Sequence, residues 1–136
     1  MAGATLGGGI GFYSGYYGAI SDSLLSAEVV LADGSLVTAS NSENSDLFWA
    51  MKGAGSSFGV VSSLTYRVYD APNAGQVMNA DMTFPVSANG SLWELAKSWA
   101  HNQPRELSVS YSIAYNATAG QVRFPLHAVR HVLIAL

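Results

Sequence analysis

A chain of 136 residues that is 49% hydrophobic and 11% charged has enough apolar material to bury a core. Its net charge of −3, with only six basic residues, argues against a nucleic-acid surface. No apolar stretch approaches the length of a bilayer span, the first residues lack the charged n-region of a signal peptide, and the absence of cysteine excludes disulfides and thiolate metal sites in this segment while leaving the redox compartment open.

The densest signal comes first. Gly7-Gly8-Gly9-Ile10-Gly11 is followed by Ser14, Gly18 and Asp22. Residues without a Cβ let the backbone lay its N–H groups against a phosphate or a planar ring, and they reach positive φ freely. A flexible, glycine-rich start to the chain is the competing reading of the run taken alone.

Ala27 to Ala32 then reads as a strand, Asp33-Gly34 as a tight turn and Leu36 to Ala39 as the returning strand. Asn44, Ser45 and Asp46 favour a helix N-cap, and Leu47 to Lys52 form a short helix that Gly53 is expected to stop. Lys52 near its C-terminal end suits the helix dipole. A second small-residue loop, Gly53 to Ser57, leads through Phe58-Gly59-Val60-Val61 into an alternating strand that runs to Tyr69. Ala71-Pro72-Asn73 with Gly75 makes a short linker. Gln76 to Phe84 reads as a strand, Ser91 to His101 as a helix burying Leu92, Trp93, Leu95, Ala96 and Trp99, and Glu106 to Tyr115 as another strand.

Three segments in this order, LGGGIGFYSGYYGAISD, VVLADGSLVTAS and ENSDLFWAMKGAGSSFGVVSSLTYRVYD, resemble the flavoprotein oxidoreductases whose FAD-binding domain is of the vanillyl-alcohol oxidase and cresol methylhydroxylase (PCMH) type. Within them the chain is most similar to the berberine-bridge-enzyme-like branch, particularly fungal FAD-linked oxidoreductases. The resemblance covers roughly residues 3 to 70 and continues more loosely to about 122. It implies an α+β fold: the second subdomain of a PCMH-type FAD-binding domain over 1–70, a linker at 71–75, the start of an antiparallel-sheet substrate domain over 76–122, and an atypical tail over 123–136.

The same resemblance implies FAD as cofactor and a small-molecule substrate as partner. Gly8, Gly9 and Gly11 would offer close backbone approach to the pyrophosphate, while Ser14 and the Tyr17-Gly18 pair would shape the next turn of the loop. Asp22 falls where the family carries an Asp-Asn pair, but Ser23 follows it here; it reads either as a cofactor contact or as a carboxylate fixing its own loop. The backbone of Gly59, Val60 and Val61 would face the adenine end, with Ser57 where the family often has Asn. Relatives anchor FAD through an upstream histidine and, in many cases, a cysteine ahead of the glycine run; neither is expected within this chain, and Ala4 stands where some members carry another histidine. The base and further flavin contacts that relatives draw from later segments are expected to lie outside it too. Full-length relatives are often secreted.

Remaining features are weaker. Tyr111, Ile113 and Tyr115 read as substrate-facing or as core. His127 and His131 have the i, i+4 spacing of two metal ligands on one helix face, but no third ligand accompanies them. Asn89-Gly90-Ser91 and Asn116-Ala117-Thr118 match the glycan-acceptor pattern, which also arises by chance. Three functions are consistent with these signals: an FAD-dependent oxidoreductase segment that moves a hydride from an alcohol, sugar or activated C–H carbon to flavin with reoxidation by oxygen, a non-catalytic remnant of the FAD fold, or a small Rossmann domain. The last requires a strand before the glycines and an amphipathic helix directly after them, and the aromatic Phe12-Tyr13 and the hairpin stand there instead.

Overall fold

The computed structural model describes residues 1–131, arranged as two compact units, one spanning Met1–Asp70 and the other beginning at Ala71. The first unit is built on a three-stranded antiparallel sheet of order β2-β1-β3, formed by β1 (Leu24–Val30), β2 (Leu36–Ser40) and β3 (Val60–Tyr66). Asp33 and Gly34 close the β1–β2 hairpin: Gly34 has φ +83°, and the Asp33 carboxylate accepts the Ser35 amide at 2.9 Å and the Ser35 hydroxyl at 2.6 Å. These bonds hold the Asp33 carboxyl below its ordinary pKa, the Ser35 hydroxyl contributing most.

The inward residues of β1 are Leu24, Ala27 and Val29, a sequence that does not alternate strictly. The register against β3 slips between Leu24 and Ser26, and a bulge there resets which side chain faces the core. The helix α3 (Ser45–Ala54) covers this sheet with Phe48 and Met51, one helical turn apart and both fully buried. Together with Ala39 these residues make the core, edged by Leu6, Leu31, Val37, Leu47, Val61, Leu64 and Tyr66.

Both ends of α3 differ from expectation. Asn44 occupies the N-cap in a left-handed conformation (φ 46°), but its side-chain amide donates to the Thr38 carbonyl at 2.8 Å instead of capping the helix. Gly53 does not stop α3, which runs to Ala54 and tightens into a 3-10 turn at Gly55–Ser57. Gly55, unlike Gly53, has a packing reason, since a Cβ there would sit 2.5 Å from Leu6 Cδ2. The N-terminal helix α1 (Ala2–Leu6) is tied down through Thr5, which is fully buried and hydrogen-bonded to the Tyr66 hydroxyl at 2.6 Å. A single helical turn, α2 (Ser14–Tyr17), and a 3-10 turn at Ile20–Ser23 complete this unit.

The second unit carries an antiparallel sheet of order β4-β7-β5, with β6 also paired to β7. Its strands are β4 (Met78–Pro85), β5 (Leu107–Tyr111), β6 (Ala114–Asn116) and β7 (Gln121–Arg130), and α4 (Asn89–Trp99) connects β4 to β5. The residues expected as an atypical tail are a correction: 123–130 belong to β7, the central strand of this sheet. Its β-branched and aromatic residues pair with strands on both sides, and Pro125 is tolerated inside the ladder. Residues 132–136 of that expected tail lie outside the described residues. The single strand expected over Glu106 to Tyr115 is also divided, into β5 and β6, at Ser112 and Ile113.

Candidate functional site

The glycine-rich segment is an ordered loop stapled to the 3-10 turn that follows it. The Gly8 carbonyl accepts the Ser21 amide and the Gly9 carbonyl accepts the Ile20 amide, each at 2.9 Å. Gly8 and Gly9 have φ of +92° and +74°, a region costly to any residue with a Cβ. At Gly9 such a Cβ would also lie 3.0 Å from the Ala4 carbonyl oxygen and from Ile20. The flexible reading of this run is therefore set aside.

Gly11 is different. Its φ is not positive, and a Cβ added there would meet nothing within 4 Å. The internal fold gives no reason for glycine at this position, which instead lines an open hollow of about 490 Å³. The amides of Gly9 and Ile10 donate to no group among the described residues, and the Ile10 side chain is 91% exposed. Unpartnered N–H groups beside a glycine that has open space in front of it form a surface suited to an anion or a ring edge.

The other predicted residues divide between holding this loop and facing outward. The Ser14 hydroxyl accepts the Gly11 amide at 2.9 Å, fixing the turn. Tyr17 donates its hydroxyl to the Asp70 carbonyl at 2.8 Å and stacks on Tyr69 with ring centroids 4.1 Å apart. Asp22 accepts the Ala19 amide at 2.8 Å, and its carboxylate fills the space that a Cβ on Gly18 (φ +78°) would need. Of the two readings of Asp22, the structure supplies the loop-fixing one. Gly11, Ser14, Tyr17 and Gly18 come together around the first hollow, and Asp22 lines a second, of about 530 Å³, with Trp49, Lys52 and Phe58.

Gly59, Val60 and Val61 border neither hollow. Gly59 is required by packing: a Cβ would stand 2.6 Å from both Val29 Cγ1 and the Val30 carbonyl oxygen. Val61 packs on the core, while Val60 is 71% exposed. Sequence reasoning missed Tyr66, Arg67 and Tyr69 in the first hollow and Trp49, Lys52 and Phe58 in the second. Two of the six basic side chains of the chain, Arg67 and Lys52, thus stand at these hollows and lend them positive potential.

In the second unit, Leu92, Trp93, Tyr111, Ile113 and Phe124 line a cavity of about 190 Å³ between α4 and the sheet. The Tyr111 hydroxyl is buried there with no hydrogen-bond partner among the described residues, and burial raises its pKa above the ordinary value. His127 and His131 do not share a helix. His127 lies on β7 and His131 just beyond it, where four residues of extended chain span about 13 Å. Among the described residues no group of three or more metal-ligating side chains occurs. No helix among them is long and apolar enough to cross a membrane.

Residues 1–40 match the family described as FAD binding domain. The chain is 48% identical over 120 residues to the FAD-linked oxidoreductase tazL of Aspergillus terreus, a match covering 88% of this chain and 24% of that protein. Over 129 residues it is 45% identical to the FAD-linked oxidoreductase azaL of Aspergillus niger, covering 95% of this chain and 27% of that one. Among solved structures, Physcomitrella patens BBE-like 1 superposes with a TM-score of 0.78 at 32% identity, over 96% of this chain and 27% of that one. Xylooligosaccharide oxidase from Myceliophthora thermophila, in complex with xylobiose, superposes with a TM-score of 0.75 at 37% identity and the same two coverages. The chain thus matches a part of the FAD-linked oxidoreductases and has the fold of the corresponding part of the berberine-bridge-enzyme-like, PCMH-type structures, and the cofactor these matches indicate is FAD. It spans about a quarter of the length of the curated relatives it matches.

Proposed function

We propose that this chain supplies the pyrophosphate-facing part of the FAD site in an oxidoreductase that oxidises an alcohol, a sugar or an activated C–H carbon. Gly11 carries this reading, as a glycine that the internal fold does not require, placed at a hollow beside the unpartnered amides of Gly9 and Ile10. The residues fit the group: left-handed glycines hold the loop open, Ser14 and Asp22 lock its turns, and Arg67 and Lys52 supply charge to offset two phosphates. FAD, when bound, supplies the hydride acceptor and its reoxidation by oxygen. In this reading the Gly9 and Ile10 amides bind and orient, Gly11 leaves room for close approach, Tyr17 stacked on Tyr69 keeps one wall in place, and the exposed Val60 lies toward the adenine end.

Titration of the purified chain with FAD, with AMP and FMN as competitors, tests it. Saturable FAD binding that AMP weakens is the expected result. A folded chain that binds no FAD would sink the reading and leave a non-catalytic remnant of the FAD fold.

A further inference from the structure

The cavity between α4 and the sheet of the second unit combines a volume, a lining and one polar atom that fit together. Its volume of about 190 Å³ exceeds the roughly 150 Å³ at which an apolar protein cavity admits benzene, so a six-membered ring with one small substituent has room. Leu92 on α4 is buried and marks its inner end, while Trp93 and Ile113, 57% and 69% exposed, mark its mouth. Asn89 and Ser112 are exposed as well, so the enclosed wall is apolar except for Tyr111.

That exception is a buried hydroxyl. Tyr111 on β5 is the register partner of Leu126, which is itself buried and paired with Met82, and cross-strand partners project to one face of a sheet. The Tyr111 hydroxyl has no hydrogen-bond partner among the described residues. Buried polar groups are almost always paired, so an unpaired one beside a space this large points to a partner supplied from outside. Water is a poor partner here, because a buried water needs about three polar neighbours and the enclosed wall offers this hydroxyl alone. Burial also favours the neutral phenol, which keeps its proton for donation.

We propose that this cavity is a ligand site for a single-ring apolar molecule bearing one carbonyl group, with an aryl ketone as the chemical class that fits. The Tyr111 hydroxyl donates to the carbonyl oxygen, and the ring packs against Leu92 and Phe124 with Trp93 at the mouth. An aryl ring is favoured over an alkyl one because aromatic pairs gain beyond the area they bury. A charged ligand is disfavoured, since the enclosed wall offers no counter-charge. The site lies within the second unit and takes nothing from the flavin reading; it binds and does not oxidise.

NMR titration of the purified chain and of Tyr111→Phe with acetophenone, and with toluene as the ring lacking a carbonyl, tests the site. Acetophenone should bind the parent about five- to tenfold more tightly than the variant. Toluene should bind both equally, and the methyl groups of Leu92 and Ile113 should show nuclear Overhauser contacts to either bound ring. Equal affinity of acetophenone for parent and variant, no saturable binding to either, or contacts confined to the first unit overturns the proposal and leaves the cavity a packing defect. FAD titration reads the glycine loop of the first unit, so failure of one reading leaves the other standing.

Discussion

The two units solve the same problem of covering an antiparallel sheet with one main helix, and they do so with different thoroughness. In Met1–Asp70 the largest fully buried side chains are Phe48, Met51, Val29 and Thr5, and the first three belong to one core. Among the described residues of the second unit the buried apolar ones are Leu92, Leu126 and Val129, and a cavity remains between α4 and the sheet. The first unit has the packing to hold a left-handed glycine loop in one shape. The second keeps an imperfectly filled apolar side, which suits a surface that must accommodate something else.

The sharpest way to break this contrast is Phe48→Ala, which should cost about 3–5 kcal/mol and abolish hydrogen-exchange protection of β1 and β3. Protection of β4 and β7 is the internal comparison. Gly59→Ala should destabilise the first unit by about 1–3 kcal/mol, since the new methyl meets backbone that cannot move aside; chemical denaturation measures it. Gly11→Ala should leave the denaturation midpoint within about 0.5 kcal/mol of the parent, because it has open space and no positive φ. The same substitution should weaken FAD binding roughly tenfold, about 1.4 kcal/mol. An unchanged affinity would detach that glycine from the cofactor.

In the second unit Tyr111→Phe should be neutral or stabilising by about 1 kcal/mol, because it removes a buried hydroxyl that has no partner. The raised pKa of Tyr111 carries a sign: its folded form favours the neutral phenol, so the associated stability is complete below the unfolded pKa and is lost as pH rises through the folded one. Denaturation between pH 9 and 11 should therefore show an alkaline loss in the parent that Tyr111→Phe reduces. The smallest effect belongs to the β1–β2 turn. Ser35→Ala should bring the Asp33 pKa back up toward its ordinary value, read by carboxyl NMR; in the parent the stability linked to this group is present above the unfolded pKa and lost as pH falls through the folded one.

Local chemistry was the legible part of this fold. The Asp33-Gly34 turn, the α3 segment and the alternation into β3 all follow from residue types within a few positions of one another. What the sequence hid depended on distant partners. Gly59 looks like a cofactor glycine beside Phe58 and Val60, and only the proximity of Val29 and Val30 shows its packing role. Residues 123–136 read as an atypical tail beside the family pattern, yet strands on both sides supply the pairing of 123–130. Likewise the cavity of the second unit joins Leu92 on a helix to Tyr111 and Phe124 on two strands, and no local spacing announces it.

Trp49 stands 80% exposed on the wall of the second hollow, while the other two tryptophans, Trp93 and Trp99, belong to α4. Conservative replacement of those two by phenylalanine would leave one indole as an intrinsic optical reporter on the loop-bearing unit. Its emission overlaps the near-ultraviolet absorption of an isoalloxazine ring, so arrival of a flavin would dim the signal by resonance energy transfer, while unfolding would scarcely change the colour of an indole already in water. The molecule thus carries, on its own surface, a gauge that separates occupancy from integrity.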